Sequence, residues 1–411
     1  MLNLRTLFLC TLVMILSVGC VSAPKSPSAV PVASAAPVDG DRQLLAAAAA
    51  GDVEHLRWLL DAGVSVHARD DDGASALMAA AARGRDENVA VLLRHGADPN
   101  ARSDAGDTAL LLAANGGFCS VIGQLLEAGA ETGVEDARGR GPLNLAAASG
   151  GRRCVELLLD AGSAIDHQDH RGLSPALYAA WQGNGPALSV LLKRGADLRV
   201  MMNDGSSALL LAAWAGKPDA VRLLLDAGAE VDLGNRAGVT PLMKAAERDD
   251  PVMINLLLDR GAVTTKSTVK GWNAATYAVN GSGQALGLLL AAGAPPDGPP
   301  GTTVTPLILA ATMGKPDLVD KLLDAGAEID LRGIRGVTPL MTAAYNGREE
   351  TVLKLIQRGA DPDLRDELGR SAADMAESQG HPDLANRIAA SAVADQPTSG
   401  LNSDPLARRD S

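Results

Sequence analysis

The sequence predicts an all-α solenoid of about eleven helix-turn-helix units of 33 residues each. Three observations predict it. A glycine returns every 33 residues at Gly73, Gly106, Gly139, Gly172, Gly205, Gly238 and Gly271. After one unit of 32 with Thr303 in the glycine place, Gly336 and Gly369 continue the series. A second ladder runs in phase: Gly63, Gly96, Gly129, Gly162, Gly195, Gly228, Gly261, Gly293, Gly326 and Gly359. Such self-similarity marks a stack of one repeated supersecondary unit. Finally, aromatic residues make up 2% of the 411-residue chain, too few for one large core but enough for stacked Ala- and Leu-packed helices.

The chain opens with Arg5, an apolar run from Thr6 to Ile15, and Ser17-Val18-Gly19-Cys20. A charge, a short apolar core and a small residue before the cut describe a secretory leader over 1–19, too short to span a bilayer. Gly19-Cys20 resembles a bacterial lipobox, with Ser17 where Leu is usual and Leu16 one place early. The resemblance implies that Cys20 carries lipid, and Val21 after it resembles outer-membrane sorting. Cleavage after Ala23 or Ala35, or an uncleaved anchor, are the alternatives. Residues 20–40, rich in Ala, Pro and Ser, read as a linker reaching about 70 Å at ~3.5 Å per residue. Residues 391–411 read as a disordered tail.

Between them, residues 41–390 form the array. One unit reads Gly238-Val239-Thr240-Pro241-Leu242-Met243-Lys244-Ala245-Ala246, and another Gly336-Val337-Thr338-Pro339-Leu340-Met341-Thr342-Ala343-Ala344. Thr-Pro starts a helix with a hydroxyl cap and a residue whose φ is preset. Leu and the alanine pair share one helix face. A second apolar run ends in Leu224-Leu225-Asp226-Ala227-Gly228-Ala229, where Gly228 ends the helix in a left-handed turn. At about 10 Å per unit the stack is ~100 Å long. Residues 249–303 depart from the pattern: Asp249-Asp250-Pro251 replaces the inter-helix glycine, Asn273-Ala274-Ala275 replaces Thr-Pro-Leu, and a proline-rich run spans 295–300. These predict a bend or soft joint.

The unit resembles the ankyrin repeat, with its T-P-L-H-x-A-A and L-L-x-x-G-A signatures and short β-turn tips. Met78, Leu111, Asn144 and Ile308 stand in the place of the usual histidine. The resemblance implies a non-catalytic protein-binding scaffold whose tips and first-helix ends face a concave groove. At those places lie Trp181, Trp214, Trp272 and Tyr345, joined by Arg138, Arg140, His170, Arg171, Arg236, Lys270 and Arg335 at the tips and Arg83 and Arg248 at the helix ends. Trp, Tyr and Arg dominate binding hot spots, so this set is the candidate partner site. Tyr178 and Tyr277, six residues after their glycines, read as core.

The formal net charge of −12 argues against nucleic acid. The expected partner is a protein with an acidic or aromatic surface, and the chain is expected to be a monomer with no cofactor, in the envelope on the periplasmic side. An inhibitor or immunity-type role is the alternative. His167 and His170, flanked by Asp166 and Asp169, suggest a metal or enzymatic site as the competing class. Cys119 and Cys154 lie in adjacent units. Stacked units stand about 10 Å apart and disulfides need Cα atoms within ~7 Å, which predicts two packed thiols.

Overall fold

The computed structural model describes residues 39–394. The leader, Cys20 and the linker to residue 38 lie outside them, as does the tail from 395. The described residues hold 22 α-helices, one 3-10 turn at Ile334–Gly336 and a single isolated bridge, Arg69 to Ser75. Two helices make each unit, as in Pro241–Glu247 followed by Pro251–Asp259. First helices pack on first helices and second on second, so the chain is a two-layer stack. The last helix, Pro382–Ala394, runs four residues into the segment read as tail.

The periodic positions form the core. Leu242, Met243, Ala245 and Ala246 are buried, as are Leu340, Met341, Ala343 and Ala344. Each alanine is buried against the next unit's first helix, where a larger side chain would hold the two apart. The caps behave as the sequence requires. Thr240, Thr305 and Thr338 accept from the backbone N–H three residues on, at 3.4, 3.2 and 3.3 Å. The residue in the family's histidine place closes the box: Asn144 Oδ1 accepts from Gly141 N at 3.1 Å and Asp374 Oδ2 from Ser371 N at 2.8 Å. Met243 and Met341 offer only a thioether, a weak acceptor, at 3.5 and 3.4 Å.

Most tips are held by a polar side chain three residues before the glycine; Met202 and Gly333 are the exceptions. Asp169 accepts from the N–H groups of Arg171 and Leu173, both at 2.8 Å, and Asn235 does the same for Ala237 and Val239. Successive tips are joined by backbone bonds, such as His170 N to Arg138 O at 3.1 Å and Asn203 N to Arg171 O at 3.0 Å. Four residues before their tip glycines, Arg69, Arg102, Gln168 and Arg332 each donate to a carbonyl 33 residues further on. This side-chain staple is periodic, and the Gly-centred reading of the sequence passes over it.

The expectation of free thiols at Cys119 and Cys154 is corrected: they form a disulfide, with Cα atoms 4.6 Å apart. The 10 Å spacing is axis to axis. Both cysteines lie at the N-terminal ends of second helices, Cys119–Glu127 and Arg152–Asp160, where the backbones converge. Gly117 permits this approach. It has φ 69°, and a Cβ there would lie 2.9 Å from Ser149 O and 3.2 Å from the Cα of Gly150.

Stacking continues through 249–303, with new polar bonds in place of the missing motif. Asp249 takes the left-handed conformation its glycine counterparts use, φ 54°. Its carboxylate accepts from Ser282 N at 2.7 Å, from Ala285 N at 2.9 Å and from the Ser282 hydroxyl, at the start of helix Gln284–Ala291. Burial raises its pKa, but these bonds outweigh burial and hold it below the ordinary carboxylate value. Lys315 Nζ donates to Val279 O, Asn280 O and Gly281 O, at the end of the short helix Ala274–Ala278.

Candidate functional site

Most first helices bury five positions, as Pro241, Leu242, Met243, Ala245 and Ala246 show. The places six and nine residues after the tip glycine are the ones most often left partly open, though Leu145 and Leu211 are buried at the first of them. Those two places carry the aromatic residues. Trp181 is 36% exposed, and its ring meets Trp214 edge-on with centroids 5.1 Å apart. Lys244, from the third unit in the row, sets its ammonium 4.6 Å above the Trp214 ring and 2.7 Å from Glu247. Thus one cluster spans three consecutive units. A cation over an indole contributes about 0.5–2 kcal/mol, depending on how dry the pair is.

Trp272 does not extend this row of rings. It lies at a tip and packs edge-on against Tyr277 at 5.8 Å. Tyr345 packs on the core. Tyr178 and Tyr277, read as core, are half-buried and, like Tyr345, pack against the core. The Tyr178 hydroxyl donates to Asp169 Oδ2 at 2.7 Å. Burial and this bond push the phenol well above its ordinary pKa. Six residues after the glycine is one helical turn before the tryptophans, so Tyr178, Lys244 and Tyr277 share their face.

The first two tips are acidic, with Asp71, Asp72, Asp104 and Asp107, and the later ones are mostly basic, with Arg138, Arg171, Arg236, Lys270 and Arg335 against Asp204 and Glu367. Arg138, Arg171, Arg236 and Arg335 are exposed, and no carboxylate pairs with them among the described residues. Arg140 differs. Its guanidinium is held by Asp136 of its own turn at 2.6 Å, which leaves it half-buried and spoken for. Burial raises the Asp136 pKa, but the Arg140 guanidinium and the turn N–H groups outweigh it and depress the carboxyl. His170 is exposed, with its ring over Gly139. His167 Nε2 lies 2.9 Å from Gly139 O, so that nitrogen is engaged with a backbone carbonyl. No group of three His, Cys, Asp or Glu able to hold a metal occurs among the described residues.

The model of the family described as ankyrin repeats (3 copies) matches residues 44–136, 110–202, 143–235, 209–299, 288–366 and 307–396. The structure is similar to the crystal structure of the human ASB11 ankyrin repeat domain. Sequence identity is 28% and the TM-score 0.50, over 54% of this chain and 98% of that one. The comparison with curated proteins gives no match. The matches cover the array almost from its first helix to its last, and the chain belongs to the ankyrin-repeat family.

Proposed function

We propose that the protein is a non-catalytic scaffold, tethered by lipid on Cys20 in the bacterial envelope, that holds a protein partner in the concave groove of its array. The observation that carries the reading is the cluster of Trp181, Trp214 and Lys244 beside tips rich in unpaired arginine. Ankyrin repeats generally mediate protein–protein interaction, and the cluster supplies a centre for one. The change from acidic to basic tips favours a partner whose acidic surface lies along the units from Arg138 to Arg335. The disulfide supports an oxidising compartment, since such bonds persist outside the reducing cytosol.

Two variants test the two halves of this reading separately. Cys20→Ala should shift the protein from the membrane pellet to the soluble fraction or leave it unprocessed, because stable anchoring needs more than one acyl chain. Normal processing with membrane retention sinks the tether. Crosslinking from the Trp181 position, followed by mass spectrometry of envelope extract, should recover one acidic partner that Trp181→Ala loses. A partner captured equally by both forms places the interface elsewhere.

A further inference from the structure

A second ladder of bonds ties the loops of successive units; it is missing where His67, Gly133, Arg199 and Thr265 stand, and of these only Gly133 has no side chain. Six residues before the tip glycine, Asn100, Asp166, Asp232, Asp297 and Asp330 each accept from a backbone N–H 31 residues on. The donors are Glu131 at 2.8 Å, Asp197 at 3.1 Å, Val263 at 3.0 Å, Glu328 at 3.1 Å and Asp361 at 3.3 Å. Asn100 makes a second bond, its amide nitrogen donating to Gly129 O at 3.0 Å. The same register places Gly133 opposite the Ala164 N–H and the Gly162 carbonyl. Glycine has no side chain to offer either.

The gap is a cleft of about 170 Å³ bounded by Gly133, Gly141, Gly162, Ser163, Ala164 and His167. At the two equivalent junctions that begin with His67 and Arg199, the clefts are about 80 and 10 Å³. Two glycines enlarge the first. Gly133 removes the acceptor, and Gly141 replaces the hydroxyl residue that caps the first helix elsewhere. The Ser163 hydroxyl is shut off from solvent, so the polar groups the cleft offers are the backbone ones of Gly162 and Ala164. His167 forms one wall, with its Cδ2 3.4 Å from the place of a Gly141 Cβ. Glu135 also lines the cleft, with Oε1 3.6 Å from His167 Nε2.

We propose that this cleft is a binding site for a primary carboxamide, the side-chain end of an asparagine in a partner segment. The carbonyl oxygen accepts from Ala164 N–H, and the NH2 group donates to Gly162 O, repeating what Asn100 does within the chain. Glu135 selects the neutral amide, because a carboxylate in the cleft would face a like charge. The site is distinct from the aromatic cluster and does not rest on it.

Acetamide, acetate and the tripeptide Gly-Asn-Gly test this by amide NMR on the full 411-residue chain. Acetamide should give saturable shifts at Ser163 and Ala164, with a dissociation constant on the order of 10 mM, the range open to so small a ligand. Gly-Asn-Gly should bind at least as tightly, and binding by acetamide alone rejects the peptide as its source. Gly133→Asn fills the cleft from within and should abolish the shifts. It should also fold, since Gly133 has no left-handed φ and an added Cβ meets nothing within 4 Å. Acetate binding more tightly than acetamide, shifts that survive in Gly133→Asn, or no saturable shift with any probe overturns the proposal.

Discussion

Trp181 and Trp214 look alike in the sequence and differ in the structure. Trp181 is more than a third exposed, whereas Trp214 is half-buried between Trp181 and Lys244. A large ring at an interface centre contributes roughly 2 kcal/mol or more, about thirtyfold in affinity. Trp181→Ala should therefore weaken partner binding by about that factor with little change in melting temperature. Trp214→Ala should lower both, because it also removes packing and the cation above the ring. Calorimetry on both variants reads the two quantities, and a drop in stability without loss of binding assigns the rings to stack covering alone. The half-cystines are the other residue-scale case. Loop-closure entropy over a separation of 35 residues gives about 4 kcal/mol for the disulfide. Reduction, or Cys119→Ser with Cys154→Ser, should lower the melting temperature of the units around 106–172, read by hydrogen exchange there. Unchanged exchange in both states shows that the bridge adds nothing.

At the scale of elements, the caps were legible and the junctions were not. Thr240-Pro241 and Thr338-Pro339 announce helix starts from the sequence alone, since cap and φ preference are local. The Arg and Asx staples join residues 31 to 33 apart, and only their period betrays them. Asp249 shows how a lost glycine is replaced: an aspartate takes the left-handed turn and spends its carboxylate on the next unit's helix. Its pKa is lower folded than unfolded, so this stabilisation is complete above the unfolded value. It is lost as pH falls through the depressed folded value. Acid should thus accelerate exchange at Ser282 and Ala285 before the rest of the array, and Asp249→Asn should remove that pH dependence. Equal pH dependence in both proteins excludes Asp249 as the group responsible.

For the whole molecule, nearest-neighbour packing means that stability is a sum over units and junctions. The junctions across 249–303 keep the repeated loop bonds of Asp232 and Asp297 but depend on Asp249 and Lys315 where the helix-start motif and inter-helix glycine are missing. We expect hydrogen exchange to be faster there than across residues 140–230, where tip bonds, caps and the disulfide coincide. Uniform protection along the array counts against a soft joint. The sequence by itself determined the unit, its helices, its core face and the family, because all of these follow from local propensity and a fixed period. It also pointed to Trp181 and Trp214 and placed Tyr178 and Tyr277 against the core, but it named Arg140 for a partner where Asp136 of the same turn holds it. Only the tertiary structure decided the bonding of Cys119 to Cys154, the pairing of Trp181 with Trp214, and the cleft at Gly133. Each depends on the distance between neighbouring units at one point, and a repeat period fixes the average spacing of a stack but not its local approaches.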